Sequence, residues 1–250
     1  MPNSRRHRIL FWNIRHGGGS RAGKISEQIN LWNPDIVALA EFRGTSPSES
    51  IARRLFDSGY KHQFTTVDID NPLWNALLLA SRYELTGEEL IGAPEPDLYW
   101  LLAKAHVKNR FLIGVVHAPW SDYLGRQEYY DALLYVAKNW QFGAGVIIGD
   151  MNSGINGLDE ETEYSQGYKK SFMNPMESLG WRDVFRAFHP DVDAPTWFSR
   201  IGRGFRLDQA FVNEELRTHV TSCRYDWGWV GEQGKVSDHA ALLLDLDLPG

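Results

Sequence analysis

Residues 145–154 read G-V-I-I-G-D-M-N-S-G. Val146, Ile147 and Ile148 form an uninterrupted β-branched run, which marks a strand buried on both faces. Gly149 frees the backbone to turn. Asp150 and Asn152 follow at i and i+2, so both side chains can leave the strand end in one direction. A carboxylate placed there can orient and deprotonate a water, and an amide beside it can donate to an oxyanion. The other reading of G-D-x-N is a polar turn that closes a core strand. The flanking sequence separates the two.

Towards the N-terminus, residues 126–140 carry Tyr129, Leu133, Val136, Ala137 and Trp140 on one helical face. Residues 99–107 and 111–116 read as an antiparallel pair around Lys108-Asn109-Arg110, and the second ends in His117-Ala118-Pro119-Trp120. Residues 74–81 are another apolar strand. Residues 48–58 form a helix with Ile51, Leu55 and Phe56 inward. The strand 35–40, D-I-V-A-L-A, runs into Glu41, whose carboxylate needs either Arg43 or a metal as partner. A helix over 24–32 precedes it, and Asn33-Pro34 stops that helix. The first strand, 8–14, is R-I-L-F-W-N-I. Asn13 near its end is either a turn residue or an amide that fixes a carboxylate or phosphate. The turn 16–20, H-G-G-G-S, lacks the spacing of a nucleotide-binding loop.

Towards the C-terminus, residues 156–170 are polar and acidic and read as a surface loop. Residues 172–179 and 181–188 read as short helices. Residues 195–200, P-T-W-F-S-R, carry adjacent aromatics. Residues 205–212, F-R-L-D-Q-A-F-V, read as one strand with Asp208 in its middle, where it needs a hydrogen-bonding partner such as histidine. Ser237, Asp238 and His239 immediately precede the last core strand. His7, His16, His62, His106, His189 and His219 lack such context and read as ordinary.

The 250 residues are 43% hydrophobic and 23% charged, which suits one soluble domain over 1–250. Cys223 is the lone cysteine, so no internal disulfide forms, and a reducing, cytoplasmic setting is expected. The basic start (Arg5, Arg6, Arg8) is followed by an apolar run too short for a signal peptide or membrane span. A net charge of −6 excludes a basic nucleic-acid coat protein but not a nucleic-acid enzyme, since metal-binding carboxylates add negative charge. Short apolar strands interleaved with amphipathic helices indicate an α/β class.

The order of polar groups at strand ends is N, then E after D-I-V-A-L-A, H-x-P, G-D-x-N, R-L-D and S-D-H. Over residues 9–246 this resembles the endonuclease/exonuclease/phosphatase superfamily. The resemblance implies a four-layer α/β/β/α sandwich of two packed mixed sheets, with Mg²⁺- or Mn²⁺-dependent hydrolysis of phosphoesters at one end. It implies Glu41, Asn13 and Asp238 at the metal. Asp150 acts on water, Asn152 on the nucleophile or a phosphate oxygen, and His239, held by Asp208, on the scissile phosphate. His117 is placed to serve the leaving oxygen. The segment G-F-R-L-D resembles the G-W-R-L-D of exonuclease III-type repair enzymes, which implies aromatic faces from Phe205 and Trp197 beside the phosphate; Arg206 and Asn75 are also expected at the substrate. The expectation is a monomeric DNA nuclease, a 3′→5′ exonuclease or relative of the abasic endonucleases. The alternative is a phosphatase or phosphodiesterase on a small molecule or lipid headgroup. Two departures bear on abasic cleavage: His117 stands where exonuclease III-type enzymes carry tyrosine, and Arg15 where abasic endonucleases can have an acid.

Overall fold

The computed structural model describes residues 4–108, 110–155, 157–159, 172–231 and 234–249. Its first half runs β1 (Ser4–Asn13), α1 (Ala22–Trp32), β2 (Ile36–Phe42), α2 (Ser46–Asp57), β3 (His62–Thr65), β4 (Ala76–Ser81), β5 (Leu85–Gly87), β6 (Trp100–Ala105) and β7 (Phe111–His117). Then come α3 (Arg126–Lys138), β8 (Gly145–Asp150), α4 (Met173–Ser178), β9 (Arg182–Asp183), α5 (Val184–Phe188), β10 (Trp197–Phe198), β11 (Gly204–Phe205), β12 (Asp208–Val212), α6 (Glu214–Arg217), β13 (Val220–Asp226), β14 (Val230–Gly231), β15 (Gly234–Lys235) and β16 (Ala241–Pro249). One six-stranded sheet has the order β13-β16-β1-β2-β4-β3, the other β5-β6-β7-β8-β12-β9.

Each sheet has one parallel pair at its centre, β1 with β2 and β7 with β8, and antiparallel neighbours outside it. The crossovers α1 and α3 cover the outer faces. Alternation along the strands sorts the core into three layers. Ile9 and Phe11 of β1 pack between the sheets with Ile113, Val115, Val146 and Ile148. Leu10 and Trp12 face outward onto Ile25, Ile29 and Ile51 of α1 and α2. Leu112, Val116 and Ile147 meet Tyr129, Leu133 and Val136 of α3 on the far side. This is the expected four-layer sandwich. Strands covered on both faces must be apolar at successive positions, which explains the unbroken runs in β2, β4 and β8. No helix among the described residues is long and apolar enough to cross a membrane.

Several local expectations change. Phe56 of α2 lies outward at 47% exposed while Ile51 and Leu55 are fully buried. Trp74 stands outside β4 and is 55% exposed. The segment 205–212 is two strands. Phe205 pairs with Trp197 in a separate ribbon, and Asp208 opens β12 opposite Asp150. Asp208 is therefore at a sheet end, not in mid-strand. Most of the supposed surface loop 156–170 lies outside the described residues, but Asp159 within it is buried.

Candidate active site

The carboxyl ends of both parallel pairs open at the same end of the sandwich, where α/β sheets commonly bind ligands. Asn13 ends β1 and Glu41 lies near the end of β2; His117 and Asp150 end β7 and β8 in mutual register. Glu41 gets there through a bulge. Ala40 pairs with Leu77 and Phe42 with Ala76, so Glu41 is left out of the ladder with φ near +55°. A bulge re-aims a side chain that strict alternation would point elsewhere. A non-glycine residue in this left-handed region costs ~1–3 kcal/mol.

Asn13 joins the two sheets chemically. Its Nδ2 donates to Glu41 Oε1 and to Asp150 Oδ2, each at 3.1 Å, and its Oδ1 accepts the Arg15 N–H at 3.0 Å. In this arrangement the amide presents nitrogen to the two carboxylates and sets their spacing. Glu41 Oε2 accepts the backbone N–H of His16 at 2.8 Å. Burial works against the Glu41 charge, yet His117, the His16 N–H and Asn13 hold its carboxyl below the usual range.

His239 Nδ1 lies 2.9 Å from Asp208 Oδ2, both buried. The Asp208 backbone N–H in turn donates to Thr196 Oγ1 at 3.2 Å. Burial pushes the Asp208 carboxyl up against the pull of His239. Burial also disfavours the imidazolium, but Asp208, Asp150 and Asp238 overcome it and push His239 up to about 10. The shared proton therefore belongs on the imidazole. His239 Nε2 reaches to 3.9 Å from Asp150 Oδ2, and His117 Nε2 to 4.0 Å from the same oxygen. His117 Nδ1 is buried with no hydrogen-bond partner among the described residues.

Asp150, Asp208 and His239 could in principle share a metal, their ligand atoms lying within 4.8 Å of one another. The Asp208–His239 hydrogen bond argues against that, because a proton occupies the bridge. Glu41 and Asp150 fit a hard cation better: two carboxylates held on one amide nitrogen give the oxygen-rich setting that Mg²⁺ or Mn²⁺ prefers. Asp238 is half-exposed beside Arg15, with Oδ2 3.6 Å from Nε.

Asn152 adopts φ near +46°, with its N–H bonded to Asp150 Oδ1 at 3.0 Å. Its Nδ2 donates to the Ala118 carbonyl at 2.7 Å, tying the loops after β7 and β8 together and leaving one N–H for a ligand. Trp197 and Phe205 wall the site: the Trp197 ring centroid is 6.5 Å from His239 and 5.8 Å from Phe205. Asn75 stands one step back, accepting from Arg43 Nε at 2.8 Å. Arg206 does not reach substrate at all. It is 1% exposed and bonds Asp159 and Asp183, each through two contacts, because a guanidinium without solvent must be neutralised inside.

His16 is the residue the sequence reading leaves out, while Arg43, expected as a partner for Glu41, bonds Asn75 and His16. His16 Nδ1 lies 3.0 Å from Glu41 Oε2 and 2.9 Å from Arg43 Nη2, so neither is ordinary surface. The signal available for His16 was position: it follows Asn13 by the few residues that keep it at the same sheet end.

The family model for the "Endonuclease/Exonuclease/phosphatase family" matches residues 10–239. No curated protein matches the chain. Among solved structures, a 3′ phosphatase, NExo, from Neisseria with a product DNA hairpin is similar at TM-score 0.79 and 18% identity, covering 97% of this chain and all of that one. An AP endonuclease from Archaeoglobus fulgidus is similar at TM-score 0.77 and 19% identity, again over 97% of this chain and 100% of that one. A 3′-5′ exonuclease (NExo) from Neisseria meningitidis is similar at TM-score 0.75 and 18% identity, over 96% of this chain and 100% of that one. With a match spanning both sheets and every strand end described above, this chain belongs to the endonuclease/exonuclease/phosphatase family.

Proposed function

We propose that this chain is a divalent-metal-dependent nuclease that hydrolyses phosphodiester bonds in DNA, of the 3′→5′ exonuclease or abasic-endonuclease kind. The carrying observation is Asp150, whose Oδ2 is held by Asn13 and faced by two imidazoles at 3.9 and 4.0 Å. At those separations one water or phosphate oxygen seated to the side can hydrogen-bond the carboxylate and an imidazole together. The fold likeness to DNA-acting enzymes agrees with this reading.

Glu41, with Asp150 nearby, would hold a divalent metal, which when bound would supply Lewis-acid stabilisation of charge on the phosphate. The chain's own groups do the rest. Asp150 orients a water and takes its proton. His239, charged because Asp208 backs it, binds the non-bridging oxygens and stabilises the charge that builds on them. His117 stands on the other side of Asp150, where it can give a proton to the leaving oxygen. Asn13 fixes Asp150 against Glu41, so attack and charge stabilisation share one geometry.

The test is a 5′-labelled duplex with one internal abasic analogue, incubated with Mg²⁺ or chelator. A metal-dependent ladder from the 3′ end supports the exonuclease, and one cut at the analogue the abasic endonuclease. Asp150→Ala and Glu41→Ala each remove most activity while keeping the fold; near wild-type turnover in Asp150→Ala sinks the mechanism. A net charge of −6 and the burial of Arg206 favour a second reading, a phosphatase or phosphodiesterase on a small phosphoester. Its activity should depend weakly on salt, whereas binding through several DNA phosphates weakens steeply.

A further inference from the structure

The two residues of β10 face opposite ways, as neighbours on a strand do. Trp197 turns to His239, and its backbone bridges to that residue. Phe198 turns outward and stacks on Trp227, with ring centroids 5.7 Å apart and planes 27° off parallel. Lys235, from β15, sets its Nζ 3.2 Å from the centre of the Trp227 ring and 5.0 Å from that of Phe198. Two residues along from Trp227, Trp229 repeats the arrangement: Lys24 Nζ lies 4.8 Å over its ring, and its backbone N–H is held by Gln28 Oε1 at 2.8 Å. Phe198, Trp229, Lys24 and Lys235 are exposed, and Trp227 is partly so. Among the described residues, both ammonium groups rest on aromatic faces and neither forms an ion pair with a carboxylate.

Nothing in the hydrolytic chemistry uses these groups, yet they sit on the outer side of the ribbon that walls the site. We propose that Phe198, Trp227 and Lys235, with Trp229 and Lys24 beside them, form a platform for single-stranded DNA next to the reacting phosphate, the rings stacking bases and the lysines meeting phosphates. The inference rests on the nuclease reading and deepens it. Every base has a π-face, so such a platform tolerates any sequence, and interleaved cations serve the backbone. Lys235 fits the role of a placeholder: it covers the Trp227 face, and its flexible stem lets the ammonium swing to a phosphate as a base takes its place. Phe198 is the chain neighbour of Trp197, whose backbone bridges to His239, so bases held here would belong to nucleotides flanking the one being cut. Bases inside a duplex are stacked on both faces and gain little from it.

The experiment measures anisotropy of a labelled single-stranded oligonucleotide and of a blunt two-strand duplex with no loop, in chelator to prevent cleavage. Circular dichroism checks each variant. Trp227→Ala should weaken single-strand binding about tenfold, the scale of one lost base stack, while duplex binding moves by less than about twofold. Trp227→Phe should recover most of it, and turnover of a small chromogenic diester should stay unchanged in both. Lys235→Gln, at an exposed position, should lower the salt slope of single-strand binding by about one charge. It carries the test if Trp227→Ala fails to fold. Equal losses on both DNAs, no loss on either, or Trp227-dependent binding to anionic vesicles without single-strand binding overturns the platform. If the wild type cuts DNA but these variants bind single strands normally, only the platform falls. A wild type that neither binds nor cuts any DNA removes the nuclease reading with it.

Discussion

Replacing Arg206 by methionine separates two roles for one motif residue. The guanidinium donates through Nε to Asp159 Oδ1 at 2.6 Å and through Nη2 to Asp159 Oδ2 at 2.9 Å and Asp183 Oδ2 at 2.6 Å. Its Nη1 also lies 3.3 Å from the Tyr225 hydroxyl. Methionine fills a similar volume but leaves two buried carboxylates short of charge. Breaking one partner out of a buried pair costs ~3–5 kcal/mol. Here the loss falls near the lower end, because Arg186 still bonds Asp159 and its N–H still reaches Asp183. In a chain of this size ~1 kcal/mol moves Tm by ~2–4 °C, so ~3 kcal/mol predicts a drop of ~6–12 °C by calorimetry. The pH dependence has a definite sign. Burial pushes the Asp159 carboxyl up, but Arg206 and Arg186 more than offset it and hold it below the usual range. A depressed carboxylate contributes stability that is present above its unfolded pKa, ~4, and lost as pH falls through the lower folded value. The gap between wild type and Arg206→Met should therefore be full near neutrality and narrow below about pH 4. A variant with wild-type Tm and a raised KM for DNA would refute this account and return Arg206 to the substrate.

Asp208→Asn removes the main support of the His239 charge, so the alkaline limb of the pH–rate profile should move down from near 10 towards the ordinary histidine range; an unmoved limb means another group titrates there. Because a raised pKa stabilises the fold below the unfolded value and loses that contribution on the way up to about 10, wild-type urea stability should fall over that interval, and the Asn variant should show less of the fall. Phe205→Ala should weaken cleavage of duplex DNA more than hydrolysis of a small chromogenic diester, and equal losses would make Phe205 a packing residue. Cys223 is 1% exposed and burial pushes its thiol well above the usual range, so a thiol reagent should leave it untouched in native protein and titrate one thiol after urea; fast native reaction would contradict the β13 placement.

The layer architecture was legible because its cause is local. A strand covered on both faces has to be apolar at every position, and β2, β4 and β8 say so residue by residue. The polar residues that interrupt those runs at one end, Asn13, Glu41, His117 and Asp150, were visible for the same reason: each breaks a pattern that burial would otherwise impose. By itself the sequence thus determined the class of fold, the family and the strand ends that carry chemistry. The side-chain partners were decided only in three dimensions. Arg206 reads like a phosphate contact until Asp159, 47 residues earlier in the chain, is found bonded to it inside the core. Asn13 shows only in three dimensions that its nitrogen lies between carboxylates from two different sheets. His16 looks unremarkable until a bulge at residue 41 turns Glu41 towards it. Hydrophobic periodicity is a property of neighbouring residues. The partner of a charge is chosen by which distant strands the closed sandwich brings within ~3 Å, and that choice exists only after the core has formed.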